Sequence, residues 1–421
     1  MATGEPLTGA QVELDVGAPA HGGHCVARLD GPNGRVVFVR HALPGERVRA
    51  VVTEDHGSYC RADAVEVLTA SPDRVPAPCP HAGPGRCGGC DWQHASADAQ
   101  RELKAAVVRE QFARVAKLDV SGLLPGVEPL PGGLLGWRTR ITFAVDRAGR
   151  PGLHRHRSHE VEHMAACPLG VAGVGDTDAL HRQWPGVTGV EAVRGDAPDV
   201  ALLAHRPGRR GRQARGRRPP DVVEPVAGPE TVTYRVGQRE FTVDAGGFWQ
   251  VHPAAAETFS TALLDALAPH PGESALDLFS GAGLLTAALA DAVGPTGRVL
   301  GVESSAAAVA NAATNLAATP WATVSCGRVD AALVGELAAQ LGAGPDLVVL
   351  DPPRAGAGTD VMRALVALGP RAIGYVACDP AALARDVAAA AGAGWRLGAL
   401  RAFDAFPMTH HVECVATLVP R

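Results

Sequence analysis

The chain carries 421 residues, 46% of them hydrophobic, at a formal net charge of −5. That length predicts two or three domains, and the charge excludes a chain that is basic throughout, so any nucleic-acid partner needs a local basic face. No apolar run is long enough for a membrane span, and nine unevenly spaced cysteines do not make the even framework of a small secreted protein.

The opening residues, Met1-Ala2-Thr3-Gly4-Glu5-Pro6, lack a basic stretch leading into an apolar one. No signal peptide is expected there, and the cysteine usage points to a reducing, cytoplasmic setting. Short alternating segments follow, such as Arg35–Val39 and Arg47–Val52, parted by the turns Gly31-Pro32-Asn33-Gly34 and Pro44-Gly45. Strands at that spacing predict a small β-barrel over residues 1–70, of the kind that carries oligonucleotides on one face. A stretch rich in Pro and Cys runs from Pro72 to Cys90, and a helical pattern from about Ser96 to Lys117. Residues 137–245 read as mostly β, with alternation clearest in Arg138–Val145. Inside them Arg206, Arg209, Arg210, Arg212, Arg215, Arg217 and Arg218 stand among Gly and Pro, as a solvated insertion or an RNA-contacting loop.

From about Pro253 helix and strand alternate, with strand candidates at Ala275–Phe279, Val299–Glu303, Thr323–Cys326, Leu347–Asp351, Ile373–Cys378 and Val412–Leu418. This is the pattern of an α/β, doubly wound, Rossmann-like sheet. The expected layout is a barrel over 1–70, a central mostly β unit over 71–250 and a catalytic unit over 251–421. No repeat or exposed apolar seam is evident, so a monomer is expected.

Cys79-Pro80-His81 through Cys87-Gly88-Gly89-Cys90 places three thiols in twelve residues, and Cys167-Pro168 lies far downstream. Four thiolates suit a tetrahedral zinc or an iron–sulfur cluster. Zinc ribbons bring close pairs on both sides, so three local ligands plus one distant one fit a cluster better. Gly88 and Gly89 let the backbone wrap closely. A cluster held by four Cys has no open iron and reads as structural or RNA-organising.

The turn Gly281-Ala282-Gly283 follows one strand candidate, and Glu303 ends the next, where an acidic residue can accept ribose hydroxyls. Dinucleotide enzymes share this pair, but the missing full G-x-G-x-x-G favours S-adenosylmethionine. Cys378 ends the apolar run Ala372–Ala377 beside Asp379-Pro380, at the edge where open α/β sheets bind ligands. Alone it reads as a small buried hydrophobe. Next to a cofactor crevice it reads as a nucleophile.

Together these segments resemble the RNA uracil-5-methyltransferase family over nearly the whole chain. The resemblance rests on Cys79–Cys90 with Gln93-His94, Phe248-Trp249-Gln250-Val251, Leu350-Asp351-Pro352-Pro353-Arg354, Tyr375–Pro380 and Phe406–Glu413, all in the expected order. It implies an S-adenosylmethionine-dependent methyltransferase fold, a TRAM-like amino-terminal barrel and a central 4Fe-4S-containing unit. It further implies that Gln250, Phe279, Glu303 and Asp351 line the cofactor site, that Cys378 is the nucleophile and that Glu413 is the base. Cys79, Cys87, Cys90 and Cys167 would hold the cluster, and the partner would be ribosomal or transfer RNA.

Three departures stand out: Leu284 follows the glycine turn where some members carry a polar residue, Asp379 stands where Asn is common, and the first cysteine gap is long. Asp330 is an expected adenine contact, and His410 and His411 are alternative bases. The chemistry calls for a thiolate that adds to carbon 6 of uracil so that carbon 5 becomes nucleophilic, and then for a base at carbon 5. A helix starting near Pro380 is expected to lower the thiol pKa. The competing readings are a methyltransferase acting on cytosine or another substrate, and a non-catalytic RNA-binding protein.

Overall fold

The structure, a computed structural model, describes residues 7–208, 220–342 and 344–421. Near its start β1 (Gln11–Asp15), β2 (Pro19–Ala20), β3 (His24–Arg28), β4 (Val36–Arg40), β5 (Arg47–Asp55) and β6 (Tyr59–Thr69) form one sheet in the order β1-β5-β6-β4-β3-β2. Backbone bonds from Gly17 N to Val26 O and from Val26 N to Ala18 O join the end of β1 to β3 and curl the sheet on itself. Alternation does the rest: Val48, Ala50 and Val52 on β5 and Cys60, Ala62 and Ala64 on β6 point into one apolar core.

Helix α1 (Ala97–Gln111) begins where the Ser96 hydroxyl accepts from Ala99 N. It continues into a wider π turn over Phe112–Ala116, and Lys117, at φ +56°, ends it. After β7 (Val127–Pro129) comes the expected β-rich region. It holds a sheet of β8 (Arg140–Val145), β9 (Pro151–His154), β10 (Val161–Glu162), β11 (Gly189–Arg194), β12 (Val200–Arg206) and β13 (Val222–Ala227), plus a hairpin of β14 (Thr231–Val236) and β15 (Arg239–Asp244). Of the arginine cluster, Arg206 ends β12 and pairs with Glu224 at 2.8 Å, and the rest lies outside the described residues.

The carboxyl-terminal part alternates α2 (Ala255–Leu267), β16 (Ser274–Leu278), α3 (Leu284–Val293), β17 (Arg298–Glu303), α4 (Ala306–Asn315), β18 (Ala322–Cys326), α5 (Ala331–Gln340), β19 (Leu347–Leu350), α6 (Thr359–Leu368), β20 (Ala372–Ala377), α7 (Pro380–Ala391), β21 (Trp395–Asp404) and β22 (Glu413–Pro420). Its sheet runs β18-β17-β16-β19-β20-β22-β21-β7. Neighbours from β18 to β20 are parallel, and β22 is antiparallel to both β20 and β21. Both faces are covered: Leu347 and Val349 pack towards α2 and α3, while Val348 and Leu350 pack towards α1, α5, α6 and α7. The near-continuous apolar strands follow from that double cover. Strand direction of travel reverses at β16, between β17 and β19, which opens a crevice at the carboxyl ends of these strands. Strand β21 was not among the sequence expectations. No helix among the described residues is long and apolar enough to cross a membrane.

Candidate active site

At the crevice, β16 gives way to Phe279 at φ +65°, Gly281 at φ +54° and Gly283 at φ +89° before α3 begins. Positive φ is uncommon for a bulky residue such as Phe, and it forces the chain to turn sharply here. A Cβ at Gly283 would lie 3.3 Å from that of Ala312, so the turn packs tightly on α4. A Cβ at Gly281 would meet nothing within 4 Å: it would project into open space. Glu303 faces the same turn, accepting from Gly281 N at 3.2 Å and, through its other oxygen, from Ser305 N at 2.8 Å. Phe279 packs partly into the core beside β16.

Asp277, absent from the sequence reading, lies fully buried in β16. Its Oδ2 accepts from the Thr286 hydroxyl at 2.5 Å, whereas its Oδ1 and the nearby Ser280 hydroxyl have no partner among the described residues. Burial pushes the Asp277 carboxyl up to about 7; the Thr286 bond opposes this, and Asp351 and Glu303 add to it. Asp351 directly follows β19, and Gln250 Nε2 donates to its Oδ2 at 3.4 Å.

Cys378 directly follows β20. The antiparallel ladder pairs Ala377 with Cys414, so the next step places Cys378 across from Glu413. The ladder ends there, and the nearby Glu413 carboxyl bears on the Cys378 thiol. Glu413 is 3% exposed, and burial, then Asp351, hold its carboxyl well above the usual range, with Arg354 opposing. The Cys378 thiol is pushed up to about 12 by burial first, then by Glu413 and Asp351, again against Arg354. This corrects the expectation of a lowered thiol. Helix α7 does start at Pro380, but Asp379 caps it, its Oδ1 accepting from Ala382 N at 2.8 Å. The capping carboxylate offsets the positive helix end, and burial beside two carboxyls prevails.

Of the alternative bases, His411 Nε2 lies 3.1 Å from Arg354 Nη2, and burial, then His410 and Arg354, push it down to about 3. It is a neutral acceptor for Arg354. His410 Nδ1 lies 2.6 Å from Asp91 Oδ2. The departure at Asp379 has its own partner, His21 of the barrel, at 3.3 Å. Asp330 caps α5, accepting from Leu333 N at 2.9 Å, and Leu284 opens α3.

The structure brings all four cysteines of interest into one neighbourhood. The charge of Cys167 bears on Cys87 and Cys90, and that of Cys79 on Cys87 and Cys167. Burial pushes the thiols of Cys87 and Cys90 up to about 11 and about 12. Gly89 N donates to Cys87 Sγ at 3.4 Å and Gln93 Nε2 to Cys90 Sγ at 3.3 Å. Gly88 is needed for this wrap, because a Cβ there would lie 2.7 Å from His156 Cα. Among the described residues, no group of three or more His, Cys, Asp or Glu stands close enough to hold a single metal ion.

Residues 7–65 match the TRAM domain, residues 251–333 match protein-L-isoaspartate(D-aspartate) O-methyltransferase, and residues 344–421 match tRNA (uracil-5-)-methyltransferase. An uncharacterized RNA methyltransferase of Streptomyces avermitilis is 48% identical, over 98% of this chain and 99% of the relative. A 23S rRNA (uracil(1939)-C(5))-methyltransferase, RlmD, of Methylococcus capsulatus is 34% identical over 98% of each. Among solved structures, the Pyrococcus abyssi tRNA (uracil-54, C5)-methyltransferase in complex with S-adenosyl-L-homocysteine shares the fold, with a TM-score of 0.68 at 22% identity, over 96% of this chain and 100% of that one. The glycine turn facing Glu303, the thiol across from Glu413 and end-to-end similarity to these relatives agree: the chain belongs to the family of S-adenosylmethionine-dependent RNA uracil-5-methyltransferases.

Proposed function

We propose that this chain methylates carbon 5 of one uridine in RNA through a transient bond between Cys378 Sγ and carbon 6 of the ring. The observation that supports this is the β20–β22 register, which ends beside Cys378 and Glu413, with Asp351 bearing on both. S-adenosylmethionine, when bound, supplies an electrophilic methyl group. The crevice fits that ligand: there is open space at Gly281, unpartnered polar atoms on Asp277 and Ser280, and a concentration of carboxyls suited to a cation that bears hydroxyls. Glu303, Gln250, Asp351 and Phe279 would line it.

The Cys378 thiolate, its proton released to solvent, adds to carbon 6 and places electron density on carbon 5. That carbon takes the methyl group as the donor's sulfur leaves as a neutral thioether, and one hard step becomes easier ones. Glu413 takes the carbon 5 proton after alkylation, and the electron pair of that C–H bond closes the ring double bond as the carbon–sulfur bond breaks. A carboxylate whose pKa is raised is the stronger base once ionised. The target base must leave its stack to reach a half-buried thiol, which favours a loop over a duplex. The 34% relative favours ribosomal RNA, whereas the transfer-RNA enzyme, at 22% identity, speaks for the fold alone.

Cys79, Cys87, Cys90 and Cys167 would hold a four-iron, four-sulfur cluster. Such a cluster spreads its thiolates wider than a single ion does, and it is commonly tuned by N–H donors to sulfur like those from Gly89 and Gln93. Four thiols that bear on one another and two N–H donors to sulfur support that reading. We read 1–70 as the RNA-binding barrel, 71–250 as the cluster-bearing unit and 251–421 as the catalytic unit.

A 23S rRNA fragment carrying 5-fluorouridine tests the function, because fluorine cannot leave as a proton and the adduct persists. A denaturation-resistant complex mapped to Cys378, lost in Cys378→Ala, supports the reading. Turnover on uridine by an active preparation that gives no such complex sinks it, and an adduct with 5-fluorocytidine instead moves the substrate to cytosine.

A further inference from the structure

The turn that leads into Glu413 is tied to elements outside its own sheet. We propose that Asp91 is a positioning residue for the candidate base: it ties the segment following the clustered cysteines to residues 406–412 and so sets where the Glu413 carboxyl sits.

Asp91 N and Trp92 N both donate to Met408 O, at 2.9 and 3.0 Å. The Asp91 carboxylate accepts from His410 N at 3.0 Å and lies 2.6 Å from His410 Nδ1. Met408 is buried at φ +68°, a backbone conformation that persists only where its surroundings over-determine it. Helix α1 supplies further ties: Gln100 Oε1 accepts from Met408 N at 2.7 Å, and Lys104 Nζ donates to Phe406 O at 3.0 Å. Asp91 is itself pinned. Arg40 at the end of β4 lies 3.5 Å from its Oδ1, and a Cβ on Gly23 would come within 2.6 Å of its Cγ, so the barrel packs directly on it. Three residues beyond His410, Glu413 begins β22. A carboxylate locked on three sides, gripping both the backbone and the side chain of the turn, is built for placement.

The role assigned to Glu413 rests on the function proposed above, so the test has an arm that does not. Hydrogen exchange of the full chain is followed by peptide mass spectrometry in the wild type, Asp91→Ala, Asp91→Asn and Gln100→Ala. In Asp91→Ala, exchange across residues 408–413 speeds up while β16 to β20 stay protected. Asp91→Asn keeps a carbonyl acceptor for His410 N and restores much of the protection. With a uridine transcript, Asp91→Ala forms the covalent complex but resolves it slowly, lengthening its lifetime about 10–100-fold, the range expected for a misplaced catalytic group. RNA affinity stays within about twofold, because Asp91 is buried and its replacement leaves the exposed side chains as they are. Unchanged exchange at 408–413 in Asp91→Ala overturns the tie, whatever becomes of the covalent mechanism. Faster exchange with an unaltered complex lifetime overturns the positioning role. If Asp91→Ala does not fold, Gln100→Ala, which loses the side-chain acceptor for Met408 N in the same turn, decides by the same two readouts.

Discussion

Glu413→Gln removes the neighbouring carboxyl that raises the Cys378 thiol most, and its effect on thiol reactivity follows from the structure. The thiol stands at about 12 against an ordinary 9.0. At pH 8 about one part in 10⁴ of such a thiol is ionised, against about one in ten for an unperturbed one, a deficit of roughly a thousandfold. Nucleophilicity rises with pKa at about 0.4–0.5 log per unit, so the net loss is about 30–60-fold. Iodoacetamide labelling of the full chain between pH 7 and 10, read at the Cys378 peptide with exposed Cys326 monitoring the reagent, measures this directly. The log rate should climb by about one per pH unit with no levelling up to pH 10. A neutral amide in place of Glu413 disfavours the thiolate less, so the curve moves to lower pH. Each unit gained should speed labelling at pH 8 about three- to fourfold after the same correction. A wild-type profile that levels below pH 9, or a Gln variant that labels no faster, refutes the account of the site's electrostatics.

Gly281→Val projects a branched side chain into the open space before Glu303, at φ +54°, and should weaken S-adenosylmethionine binding at least about tenfold by calorimetry while the fold survives. Lys104→Met leaves Asp404, its partner at 2.5 Å, buried and alone; urea unfolding should show a loss of about 3–5 kcal/mol, largely recovered by Lys104→Met with Asp404→Leu. Arg371 holds Glu273 down to about 2 from 4.5, so this pair contributes stability above pH 4.5 that fades as pH falls towards 2. Thermal melts of the wild type and Glu273→Gln should therefore converge in acid, and a constant gap from pH 7 to 3 would contradict it.

The strand ends that carry Glu303, Asp351 and Cys378 were legible because each is an apolar run stopped by a polar residue or a glycine turn, a purely local signal. Asp277 left a local trace as well: a carboxylate between Leu276 and Leu278, inside a run with no other polar residue, is rarely buried without a reason. Strand β21 escaped because its alternation is broken by a bulge between Leu397 and Ala399. The thiol pKa was misjudged for a different cause. The start of α7 is local, whereas burial and the carboxyls of Glu413 and Asp351 arrive from other strands. The Asp91–His410 contact spans 319 positions, and no spacing rule reaches that far.

Strand β22 follows β21 in the chain yet lies between it and β20. During folding, β20 and β21 therefore cannot settle against each other; a gap one strand wide has to stay open until the final segment inserts. Until then Cys378 has no carboxyl opposite it and the short ladder of β7 on β21 has nothing rigid behind it. On the proposed mechanism, a sheet still lacking β22 lacks the base as well, and its two unpaired edges invite aggregation.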